Sequence, residues 1–595
     1  MKAIPFYFST CQPVHRKRSG RLERDGACEE VCSVGQVTHD DFKTKQHISM
    51  KILIVGGVAG GATAATRLRR LSEVNEVVIF EKGEHVSFAN CGLPYHIGGT
   101  IVSREKLLLQ TPTSLKKRFN LDVRIFNEVL SIQPAEQTVT VKNLQTSEVY
   151  TESYDKLLLS PGAEPFKPPI PGIHSDKIMT LRNVADMDRI IAKTQGLKQI
   201  AVVGGGFIGL EVAENLVEKG FSVDVIELSN QVMAPVDFEF AQMVHHHAAE
   251  KGLSLKLNAG VQAFEEKGDQ VELKLSTGET LMADAVIFAI GVKPENKLAK
   301  EAGLALGTTG GILVDEYMQT SDPNIYAVGD AVEVAHYING AKVLIPLAWP
   351  ANRQGRIVAD NMVKGNQFTY KGSLGSAIMK FFDLTVATTG MNEKLLKRFG
   401  IPYKTVTVTR GHHAGYYPNA ANIVLKLVFG EDGAIYGAQA LGREGVDKRI
   451  DVIATAIRGG LKVADLPEIE VTYAPPYNAA KDPVNIAGYA AENMLNHEME
   501  TVNYDALDAF LQQENTVLVD VRTAKEYADG HIPNAQNMDL DTIRQNLDAF
   551  DPSKTYVMYC QVGLRGYLAH AILRNNGIKS INLNGGYSIW KAALG

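Results

Sequence analysis

The sequence predicts a multidomain α/β protein, and three observations support this prediction. The chain has 595 residues, more than one hydrophobic core usually organises, so several domains are expected. Its 53 glycines are typical of proteins with many tight strand-to-helix turns. The strongest observation is a pattern that occurs twice: an apolar strand, a glycine-rich turn, a helix, and a second strand that ends in an acidic residue.

Composition and charge exclude several classes of protein. Hydrophobic residues make up 45% of the chain and charged residues 22%, with a formal net charge of −6. A nucleic-acid-binding protein normally carries a basic surplus, which this chain lacks. No apolar run reaches the roughly 20 residues that a membrane-spanning helix requires. Five cysteines in so long a chain exclude a disulfide scaffold, so a reducing, cytoplasmic environment is expected.

The first 49 residues differ from the rest of the chain. They are polar, rich in Arg and Lys, hold three of the five cysteines, and contain no apolar core of a secretory signal. Met50 then begins a segment that reads like an ordinary protein start. Residues 1–49 are therefore expected to be a disordered extension, or the product of a start codon assigned too early. Cys28 and Cys32 have a spacing that could bind metal, but no partner cluster follows, and no metal site is predicted.

The first strand–turn–helix unit begins at residue 51. Residues 51–55 form an apolar run suited to a buried parallel strand. A turn from Gly56 to Gly61 and an Ala-rich helix follow, and the next strand ends at Glu81. Such glycines let the backbone approach a pyrophosphate, the helix N-terminus offers free N–H groups, and the acid accepts hydrogen bonds from a ribose. Val58 replaces the middle glycine of the motif, which weakens this match when it is taken alone.

The second unit carries the complete motif. Gly204, Gly206 and Gly209 follow a strand that ends at Val203, and the next strand ends at Glu227. Two such units predict two dinucleotide-binding folds in one chain. A carboxylate at position 227 favours the ribose hydroxyl of NADH and repels the 2′-phosphate of NADPH. NADH is therefore the expected nucleotide, with NADPH less favoured.

A third segment connects these folds to a known family. It reads TSDPNIYAVGDAVEV, residues 320–334, and places Gly329 and Asp330 in a turn after a strand. With the two glycine motifs it resembles the FAD/NAD(P)-dependent pyridine nucleotide–disulfide reductase superfamily, and residues 157–165 and 286–296 resemble its two crossovers. The resemblance implies that the first fold binds FAD, that the second is inserted into it and binds NAD(P)H, and that Asp330 holds the flavin ribityl chain.

Cys91 lies in the segment SFANCGLPYHIGG, residues 87–99. Many members of the superfamily carry CxxxxC at this place, but here His96 stands where the second cysteine would be, so this internal disulfide cannot form. The oxidised state must then be a mixed disulfide with a small thiol, a persulfide or a sulfenic acid. A position near the expected start of a helix predicts that Cys91 has a lowered thiol pKa and is a reactive thiolate rather than a small buried side chain.

The segment SFANCGLPY resembles the coenzyme A disulfide reductase branch and its persulfide- and polysulfide-reducing relatives, and the resemblance covers about residues 50–490. It implies that Cys91 is the redox nucleophile and that coenzyme A lies in a channel. The channel residues that it implies are Thr63, Arg67, Arg70, Ser87 and Asn90. Independently of the family, Arg67 and Arg70 lie one helical turn apart, which suits either a polyanionic ligand or a solvated helix face.

Two later segments, 412–420 and 471–485, resemble the dimerisation domain of the same family. The resemblance implies a homodimer in which Tyr416 and Tyr473 reach the active site of the partner subunit, with Lys481 near the substrate. A phenol there could hydrogen-bond a departing thiolate or sulfide. Tyrosines that only pack at a subunit interface are an equal alternative.

The composition shifts near residue 495, where a unit of about 100 residues begins. Its segments TVLVDVR, EYADGHIPNAQN and CQVGLR resemble a rhodanese domain, with Asn534 in place of a common glycine. Cys560 begins a tight six-residue loop ahead of a helix, and backbone N–H groups in such a loop stabilise a thiolate or persulfide. Gly563 permits the turn, and Arg565 is expected to close the loop and to add positive charge.

The complete prediction is two nested Rossmann-like FAD and NAD(P) domains, an α+β dimerisation domain and a C-terminal α/β rhodanese domain. The expected bounds are 50–158 and 284–370 (FAD), 159–283 (NAD(P)H), 371–495 (dimerisation) and 496–595 (rhodanese-like). The expected activity is NADH-driven reduction of persulfide, polysulfide or coenzyme A disulfide S–S bonds, with sulfane sulfur transferred at Cys560. The alternatives are an NADH oxidase or peroxidase that uses Cys91 sulfenic acid, and a slow redox sensor or sulfur-delivery protein.

Overall fold

The structure, a computed structural model, describes residues 49–595. The predicted N-terminal extension, apart from its last residue, lies outside the described residues, as do Cys11, Cys28 and Cys32. The two cysteines within the described range, Cys91 and Cys560, have free thiols. Within the same range, no helix is long and apolar enough to cross a membrane.

The first dinucleotide fold is built on a parallel sheet with the strand order β19–β7–β1–β2–β3. Residues 52–54 of its central strand are fully buried, as the apolar run predicts for a strand covered on both faces. Before the insertion, the elements are β1 (Lys51–Val55), α1 (Ala59–Leu71), β2 (Glu76–Glu81), α2 (Leu93–Gly98), α3 (Pro112–Phe119), β3 (Asp122–Ile125), β4 (Asn127–Gln133), β5 (Thr138–Asn143), β6 (Val149–Ser153), β7 (Lys156–Leu159) and β8 (Ala163–Pro165).

The inserted fold repeats this plan with the parallel strand order β12–β11–β10–β16–β9. The predicted crossovers meet, because β8 pairs antiparallel with β17. The elements are β9 (Ile178–Met179), α4 (Val184–Thr194), β10 (Gln199–Val203), α5 (Phe207–Glu218), β11 (Ser222–Ile226), α6 (Phe238–Glu250), β12 (Ser254–Lys256), β13 (Val261–Lys267), β14 (Gln270–Leu275), β15 (Thr280–Ala283), β16 (Ala285–Phe288) and β17 (Val292–Pro294).

The chain then returns to complete the first fold. The elements are α7 (Lys297–Glu301), β18 (Ile312–Leu313), β19 (Ile325–Ala327), β20 (Val332–Ala335), β21 (Lys342–Val343) and α8 (Ala348–Lys364). Strand β19 joins the sheet beside β7 and carries the segment with Asp330 to the edge where the glycine turn lies. Helix α8 packs closely on α1, since a Cβ at Gly355 would lie 2.4 Å from the carbonyl oxygen of Gly60.

The third region has an antiparallel sheet with the strand order β22–β23–β26–β25–β24. Helices α10 and α11 pack against this sheet and bury its apolar face. The elements are β22 (Ala377–Phe381), β23 (Leu384–Gly390), α9 (Glu393–Phe399), β24 (Lys404–Gly411), β25 (Asn422–Phe429), β26 (Ile435–Gly442), α10 (Val446–Gly459) and α11 (Pro483–Leu495).

The C-terminal unit has a parallel sheet with the strand order β27–β31–β30–β28–β29. The elements are β27 (Thr501–Val502), α12 (Tyr504–Leu511), β28 (Thr516–Asp520), α13 (Ala524–Ala528), β29 (Gln536–Asn537), α14 (Leu540–Ile543), β30 (Thr555–Tyr559), α15 (Leu564–Asn575), β31 (Lys579–Leu583) and α16 (Gly586–Leu594). The predicted architecture is confirmed for the described chain: two nested Rossmann-like folds, an α+β third region with an antiparallel sheet, and a C-terminal α/β unit.

The C-terminal unit docks on the rest of the chain through the outer edge of β24. The side-chain oxygen of Asn584 accepts a hydrogen bond from the Thr407 backbone N–H (2.8 Å), and its amide donates to the Thr405 carbonyl (3.2 Å). Helix α16 packs against α6 of the inserted fold. The unit therefore contacts both the third region and the inserted fold of its own chain.

A buried ion cluster lies where these parts meet. The ammonium group of Lys426, only 2% exposed, donates to the carboxylates of Asp237 (2.9 Å), Glu239 (2.5 Å) and Glu393. Tyr504 of the C-terminal unit donates to the second oxygen of Glu239 (3.3 Å). These three acids form the only potential metal-binding group found among the described residues, and the lysine ammonium already lies between them.

Candidate active site

The first glycine turn requires glycine at two positions. Gly56 has φ +95°, and a Cβ there would lie 2.1 Å from the carbonyl oxygen of Ser160. A Cβ at Gly61 would lie 1.9 Å from the carbonyl oxygen of Gly56. Only glycine allows this turn to pass so close to its neighbours. At the end of β2, the Glu81 carboxylate accepts a hydrogen bond from the backbone N–H of Gly57 (3.0 Å), which orients the acid beside the turn.

The second turn has the same geometry. Gly204 has φ +111°, with its Cβ position 2.4 Å from the carbonyl oxygen of Ala289, and the Cβ position of Gly209 lies 2.0 Å from the carbonyl oxygen of Gly204. The Glu227 carboxylate accepts a hydrogen bond from the backbone N–H of Gly205 (2.8 Å). The two predicted dinucleotide turns are therefore equivalent in structure, each with its acid beside it.

The middle position of the motif explains why Val58 is tolerated. A Cβ at Gly206 would have no atom within 4 Å, because this position faces open space. Val58 occupies the corresponding position in the first turn, and its side chain lines a large cavity. The valine therefore causes no clash within the protein, although it narrows the space beside the turn.

One cavity of about 2090 Å³ joins both turns. It exceeds the roughly 300–1,000 Å³ of a typical single-ligand pocket, so there is room for more than one ligand. The open space at Gly206, the glycine cradles and the oriented acids fit an FAD and a pyridine nucleotide. The residues lining it include Gly56, Glu81, Cys91, Gly204, Gly206, Glu227, Gly329 and Asp330.

Asp330 lies in the wall of this cavity, in a short 3₁₀ turn, Gly329–Ala331. The turn is fixed by Gln354, whose side-chain oxygen accepts a hydrogen bond from the Gly329 backbone N–H (2.7 Å). Burial raises the pKa of Asp330 to about 6, while the positive charge of Arg182 acts in the opposite direction. The carboxyl group therefore faces the cavity beside the first glycine turn, as the late sequence segment predicts.

Two cations near the first turn were not identified from the sequence. Lys82 and Arg182 both line the cavity and both bind Glu295, at 3.0 Å and 2.8 Å. Together they bring two positive charges, against the single negative charge of Glu295, to the wall of the cavity. Only Lys82 could have been found from the sequence, because it directly follows the acid that ends β2.

Cys91 lies in a 3₁₀ turn, Asn90–Gly92, that leads directly into α2, so the predicted helix start is confirmed. The segment that precedes Cys91 is fixed to the glycine turn, because the Ser87 backbone N–H donates to the carbonyl oxygen of Gly57 (2.8 Å). The Cys91 side chain is exposed to the cavity, and Ser87 and Asn90 line the same space. The structure therefore brings the cysteine together with both nucleotide turns.

The prediction of a lowered pKa for Cys91 is wrong for the protein without ligands. Surrounding protein withdraws the thiol from water, and this burial, followed by the negative charges of Glu211 and Asp330, raises the pKa of Cys91. The start of a helix contributes only about half a positive charge. Burial and two carboxylates outweigh it.

Helix α2 packs on α5 of the inserted fold. Gly98 allows the close approach, since a Cβ there would lie 2.1 Å from the side-chain oxygen of Asn215. The contact brings Tyr95 close to Glu211, and burial followed by the charge of Glu211 raises the pKa of Tyr95. Glu211 also lines the cavity, so it is a site residue that sequence reasoning missed. The signal was an acid two residues after Gly209, in the second turn of the helix that follows the glycine motif.

The structure places the predicted coenzyme A residues in different surroundings. Thr63 lines the cavity and donates to the side chain of Asn352. Arg67 forms a two-pronged ion pair with Asp360 of α8, at 3.0 Å and 2.7 Å, which raises the pKa of Arg67. Arg70, one turn further along α1, is exposed. Of the two arginines, only Arg70 is free to meet a ligand without breaking this ion pair.

Tyr416 and Tyr473 come together in the third region, where their hydroxyl oxygens lie 3.0 Å apart. They are 77% and 48% exposed. Lys481 lies near them in sequence, with its ammonium 5.9 Å from the ring centre of Tyr489. None of the three predicted residues is among the described residues that line the Cys91 cavity of this chain.

Cys560 directly follows β30, the central strand of the C-terminal sheet, and its side chain is almost completely buried. In the loop that follows, Gly563 has φ +96°. The start of α16 packs closely on this loop, since a Cβ at Gly586 would lie 2.4 Å from the carbonyl oxygen of Cys560. The first loop residue, Gln561, accepts a hydrogen bond from the buried Arg522 (3.0 Å). Arg522 of the DVR segment therefore helps to fix the first residue of the loop by a hydrogen bond.

Arg565 closes the loop as predicted, but it does not add a free positive charge. Its guanidinium binds both carboxylate oxygens of Glu526, at 2.8 Å and 2.5 Å. This pairing lowers the pKa of Glu526 to about 2. The carboxylate offsets much of the charge of the arginine, although the guanidinium remains within electrostatic reach of Cys560.

Two nucleotide turns, a shared cavity and one accessible cysteine at a helix start define a nucleotide-dependent redox enzyme. The chain belongs to the pyridine nucleotide-disulphide oxidoreductase family: residues 50–355 match its model and residues 376–482 match its dimerisation domain. Residues 503–593 match the rhodanese-like domain. As a member of this family, the chain is an oxidoreductase that uses FAD and NADH.

Individual relatives narrow the comparison. The chain is 39% identical to the coenzyme A disulfide reductase of Staphylococcus aureus (strain JH9) over 446 residues, 74% of this chain and 100% of the relative. Reduced Bacillus anthracis CoADR-RHD has a TM-score of 0.90 and 50% identity, covering 92% of this chain and 98% of that one. A NAD-dependent persulfide reductase from A. fulgidus has a TM-score of 0.85 and 36% identity, covering 91% and 100%.

Proposed function

We propose that this enzyme uses NADH to reduce the S–S bond of coenzyme A disulfide or of a coenzyme A persulfide, through Cys91, and that Cys560 carries sulfane sulfur. One observation carries the proposal: Cys91 opens into the cavity shared by both nucleotide turns. The other cysteine of the described chain, Cys560, is buried in a separate unit. Cys91 therefore has no second cysteine of the described chain beside it, and its oxidised state forms with a sulfur that arrives on a substrate.

The nucleotide-binding roles follow from the two equivalent turns. Glu81 and Asp330 hold the FAD, with Gly56 and Gly61 forming its cradle, and Lys82 and Arg182 offset phosphate charge. Glu227 holds the NADH ribose beside the turn formed by Gly204, Gly206 and Gly209. When bound, FAD accepts a hydride from NADH and supplies the electron pair that splits the S–S bond.

The coenzyme A portion of the substrate is a polyanion. Arg70 is exposed on α1, and Thr63, Ser87 and Asn90 line the cavity next to Cys91. These residues supply the cation and the polar groups for the coenzyme A arm. We assign Arg67 to a supporting role, because its guanidinium is held by Asp360.

The chemistry at Cys91 is disulfide exchange. Its thiolate attacks the substrate sulfur, the substrate S–S bond breaks, and a mixed disulfide or a persulfide forms on Cys91. Two electrons from NADH then cleave this new bond and return Cys91 to the reduced form. The products are two coenzyme A thiols from the disulfide, or one thiol and sulfide from the persulfide.

A homodimer completes the proposed site. Exposed tyrosines gather in the third region, with Tyr416 at 77%, Tyr473 at 48% and Tyr477 at 73%, as expected for a surface that a second copy covers. The hydroxyls of Tyr416 and Tyr473 would then face the Cys91 cavity of the other subunit and donate hydrogen bonds to the leaving sulfur. Lys481 would lie near the same substrate.

The rhodanese-like unit supplies the sulfur chemistry. Cys560 lies at the base of a loop whose Val562 and Gly563 N–H groups have no hydrogen-bond acceptor within the described residues. These groups can stabilise a persulfide on Cys560.

We also propose a cytoplasmic location. We retain the predicted domain bounds, which are 50–158 and 284–370, 159–283, 371–495 and 496–595.

The test is anaerobic NADH consumption and sulfide release with coenzyme A persulfide, and NADH consumption with coenzyme A disulfide. Wild type should turn over both substrates, Cys91→Ser should lose at least about a hundredfold in rate with both, and Cys560→Ser should lose sulfide release from added sulfane-sulfur donors. Cys28→Ser, a cysteine substitution outside the described residues, is the matched control and should match wild type. NADH consumption with oxygen or peroxide alone, without sulfide, would favour the oxidase alternative instead.

A further inference from the structure

Two loops of the third region carry exposed tyrosines, and they meet in the structure. The first loop, residues 412–421, joins β24 to β25 and carries Tyr416. The second, residues 470–482, leads into α11 and carries Tyr473. We refer to them as the tyrosine loops. The two hydroxyl oxygens lie 3.0 Å apart although the tyrosines are 57 residues apart in the chain, so this contact depends on how the loops are held against each other.

The guanidinium of Arg449 lies between the two tyrosine loops. Arg449 belongs to α10 and is only 1% exposed, and its Nη1 donates to the carbonyl oxygen of Gly445, just before that helix (3.0 Å). Its Nη2 donates to the carbonyl oxygen of His412 in the first loop (2.7 Å) and to the side-chain oxygen of Asn478 in the second (2.9 Å). The same nitrogen lies 2.9 Å from the carboxylate of Asp482, where the second loop ends. One buried cation therefore binds both tyrosine loops.

Asn478 carries this connection to the backbone beside each tyrosine. Its side chain is fully buried, and its amide donates to the carbonyl oxygen of Thr472, the residue before Tyr473 (3.3 Å). Its backbone carbonyl accepts a hydrogen bond from the N–H of Ala414, two residues before Tyr416 (3.0 Å). Asn478 thus joins the two loops directly, while the guanidinium fixes its side-chain oxygen.

The fold of this region does not depend on the arginine for its apolar packing. Helix α10 already buries Ile450, Ile453 and Ile457 in the core of the third region. A buried ion pair adds little net stability compared with apolar side chains of similar volume, because both charges lose their water. None of Arg449, Asn478 and the residues that they bind is among the described residues that line the Cys91 cavity. What the guanidinium does supply is a set of directional bonds to the tyrosine loops.

We propose that Arg449 is a positioning residue, which holds the two tyrosine loops so that the hydroxyls of Tyr416 and Tyr473 reach the same leaving sulfur. The inference rests on the proposed function, in which these tyrosines act at the Cys91 cavity of the other subunit, and it adds the group that places them. A planar guanidinium suits this role because its N–H groups spread over several acceptors, which the compact ammonium of lysine does not match. Arg449 should therefore affect only the step in which the sulfur leaves.

Arg449→Lys tests this role, since it keeps a positive charge near Asp482 but loses the planar fork. Two half-reactions of the FAD-loaded, full-length enzyme are followed separately without oxygen. One is reduction of the bound flavin by NADH, and the other is release of coenzyme A thiol when the reduced enzyme meets coenzyme A disulfide. Thiol release should slow about tenfold, because a small misplacement of reacting groups is costly. Flavin reduction should keep the wild-type rate.

Removing the tyrosine hydroxyls shows whether Arg449 acts through them. The double variant Tyr416→Phe/Tyr473→Phe should slow thiol release at least about tenfold. Adding Arg449→Lys to this double variant should change the rate less than about twofold, as expected for residues that act as one unit. Hydrogen exchange gives a readout without turnover: in Arg449→Lys, exchange should accelerate in both tyrosine loops together, because one guanidinium holds both.

The matched control is Arg443→Lys, the same substitution just before α10. The Arg443 side chain is 64% exposed and lies 3.2 Å from the carboxylate of Asp383. Both half-reactions and the exchange of both loops should match wild type. If Arg449→Lys does not fold, Asn478→Ala provides the second measurement. It removes the amide that binds Thr472, and it should also slow thiol release, spare flavin reduction and accelerate exchange in both loops.

The proposal is overturned if Arg449→Lys releases thiol at the wild-type rate, slows both half-reactions equally, or slows thiol release as much without the tyrosine hydroxyls as with them. Wild-type thiol release in the tyrosine double variant also overturns it, because Arg449 would then have no group to position. A changed sedimentation velocity of Arg449→Lys does so too, since a lost subunit contact would explain the slower release. Failure of the proposed function appears separately, as thiol release that Cys91→Ser does not abolish.

Discussion

Replacing Lys426 by methionine tests the buried ion cluster at the junction of the domains. The ammonium is 2% exposed and holds three carboxylates, those of Asp237, Glu239 and Glu393. Methionine fills a similar volume but leaves these acids without a counter-ion. Breaking a buried pair by removing one partner costs about 3–5 kcal/mol, a large part of the roughly 5–15 kcal/mol that stabilises a typical protein.

The loss should depend on pH in a defined direction. In wild type, burial already raises the pKa of Glu239, and Lys426 opposes this effect. Without the lysine, the folded-state pKa of Glu239 rises further above its unfolded value of about 4.3. The native state then binds more protons than the unfolded state across this window, so the stability of the variant falls as the pH rises. The deficit relative to wild type should be smallest near pH 5 and largest near pH 8.

Urea unfolding of the holoenzyme, followed by far-ultraviolet circular dichroism at several pH values, measures this deficit. Lys397→Met is the matched control, because Lys397 also approaches Glu393, at 3.8 Å, but is 60% exposed. A surface pair of this kind contributes about 0–1 kcal/mol. The reasoning is refuted if Lys426→Met is as stable as Lys397→Met, or if its deficit shrinks as the pH rises.

Two further predictions concern the nucleotide and the docked unit. Glu227→Gln removes the charge that repels a 2′-phosphate, so the ratio of kcat/KM for NADH to that for NADPH should fall at least about tenfold; an unchanged ratio would mean that Glu227 does not select the nucleotide. Asn584→Ala leaves the buried Thr407 N–H without its acceptor, at a cost of about 1–3 kcal/mol. Hydrogen exchange across residues 496–595 and β24 should accelerate in this variant, while protection that matches wild type would show that the contact does not hold the unit in place.

Local patterns were sufficient to predict most of the fold. The two glycine turns, their acids and the lone cysteine at a helix start are written in short stretches of chain, and each lies where its pattern indicates. Even the exception is local in origin: Val58 is tolerated because the middle position of the turn faces open space. The family and both appended units were likewise readable from short segments.

Predictions failed where distant parts of the chain decide the chemistry. The pKa of Cys91 is raised first by burial and then by the charge of Glu211, which lies 120 residues later and comes near only because α2 packs on α5. Arg67 is held by Asp360, 293 residues away, so the sequence suggested a free cation that the fold does not provide. The Lys426 cluster could not be foreseen for the same reason, since its partners come from the start of α6 and from α9, far from Lys426 in the sequence.

The hydrogen bonds that Asn584 makes to Thr405 and Thr407 have a consequence for the exposed edge of the third sheet. Strand β24 is the last strand of its sheet, and an open sheet edge invites other chains to pair with it and aggregate. The appended unit occupies that edge with side-chain amides, which satisfy its backbone without extending the sheet. By covering this edge, the unit should protect the sheet from pairing with other chains, whatever chemistry Cys560 performs.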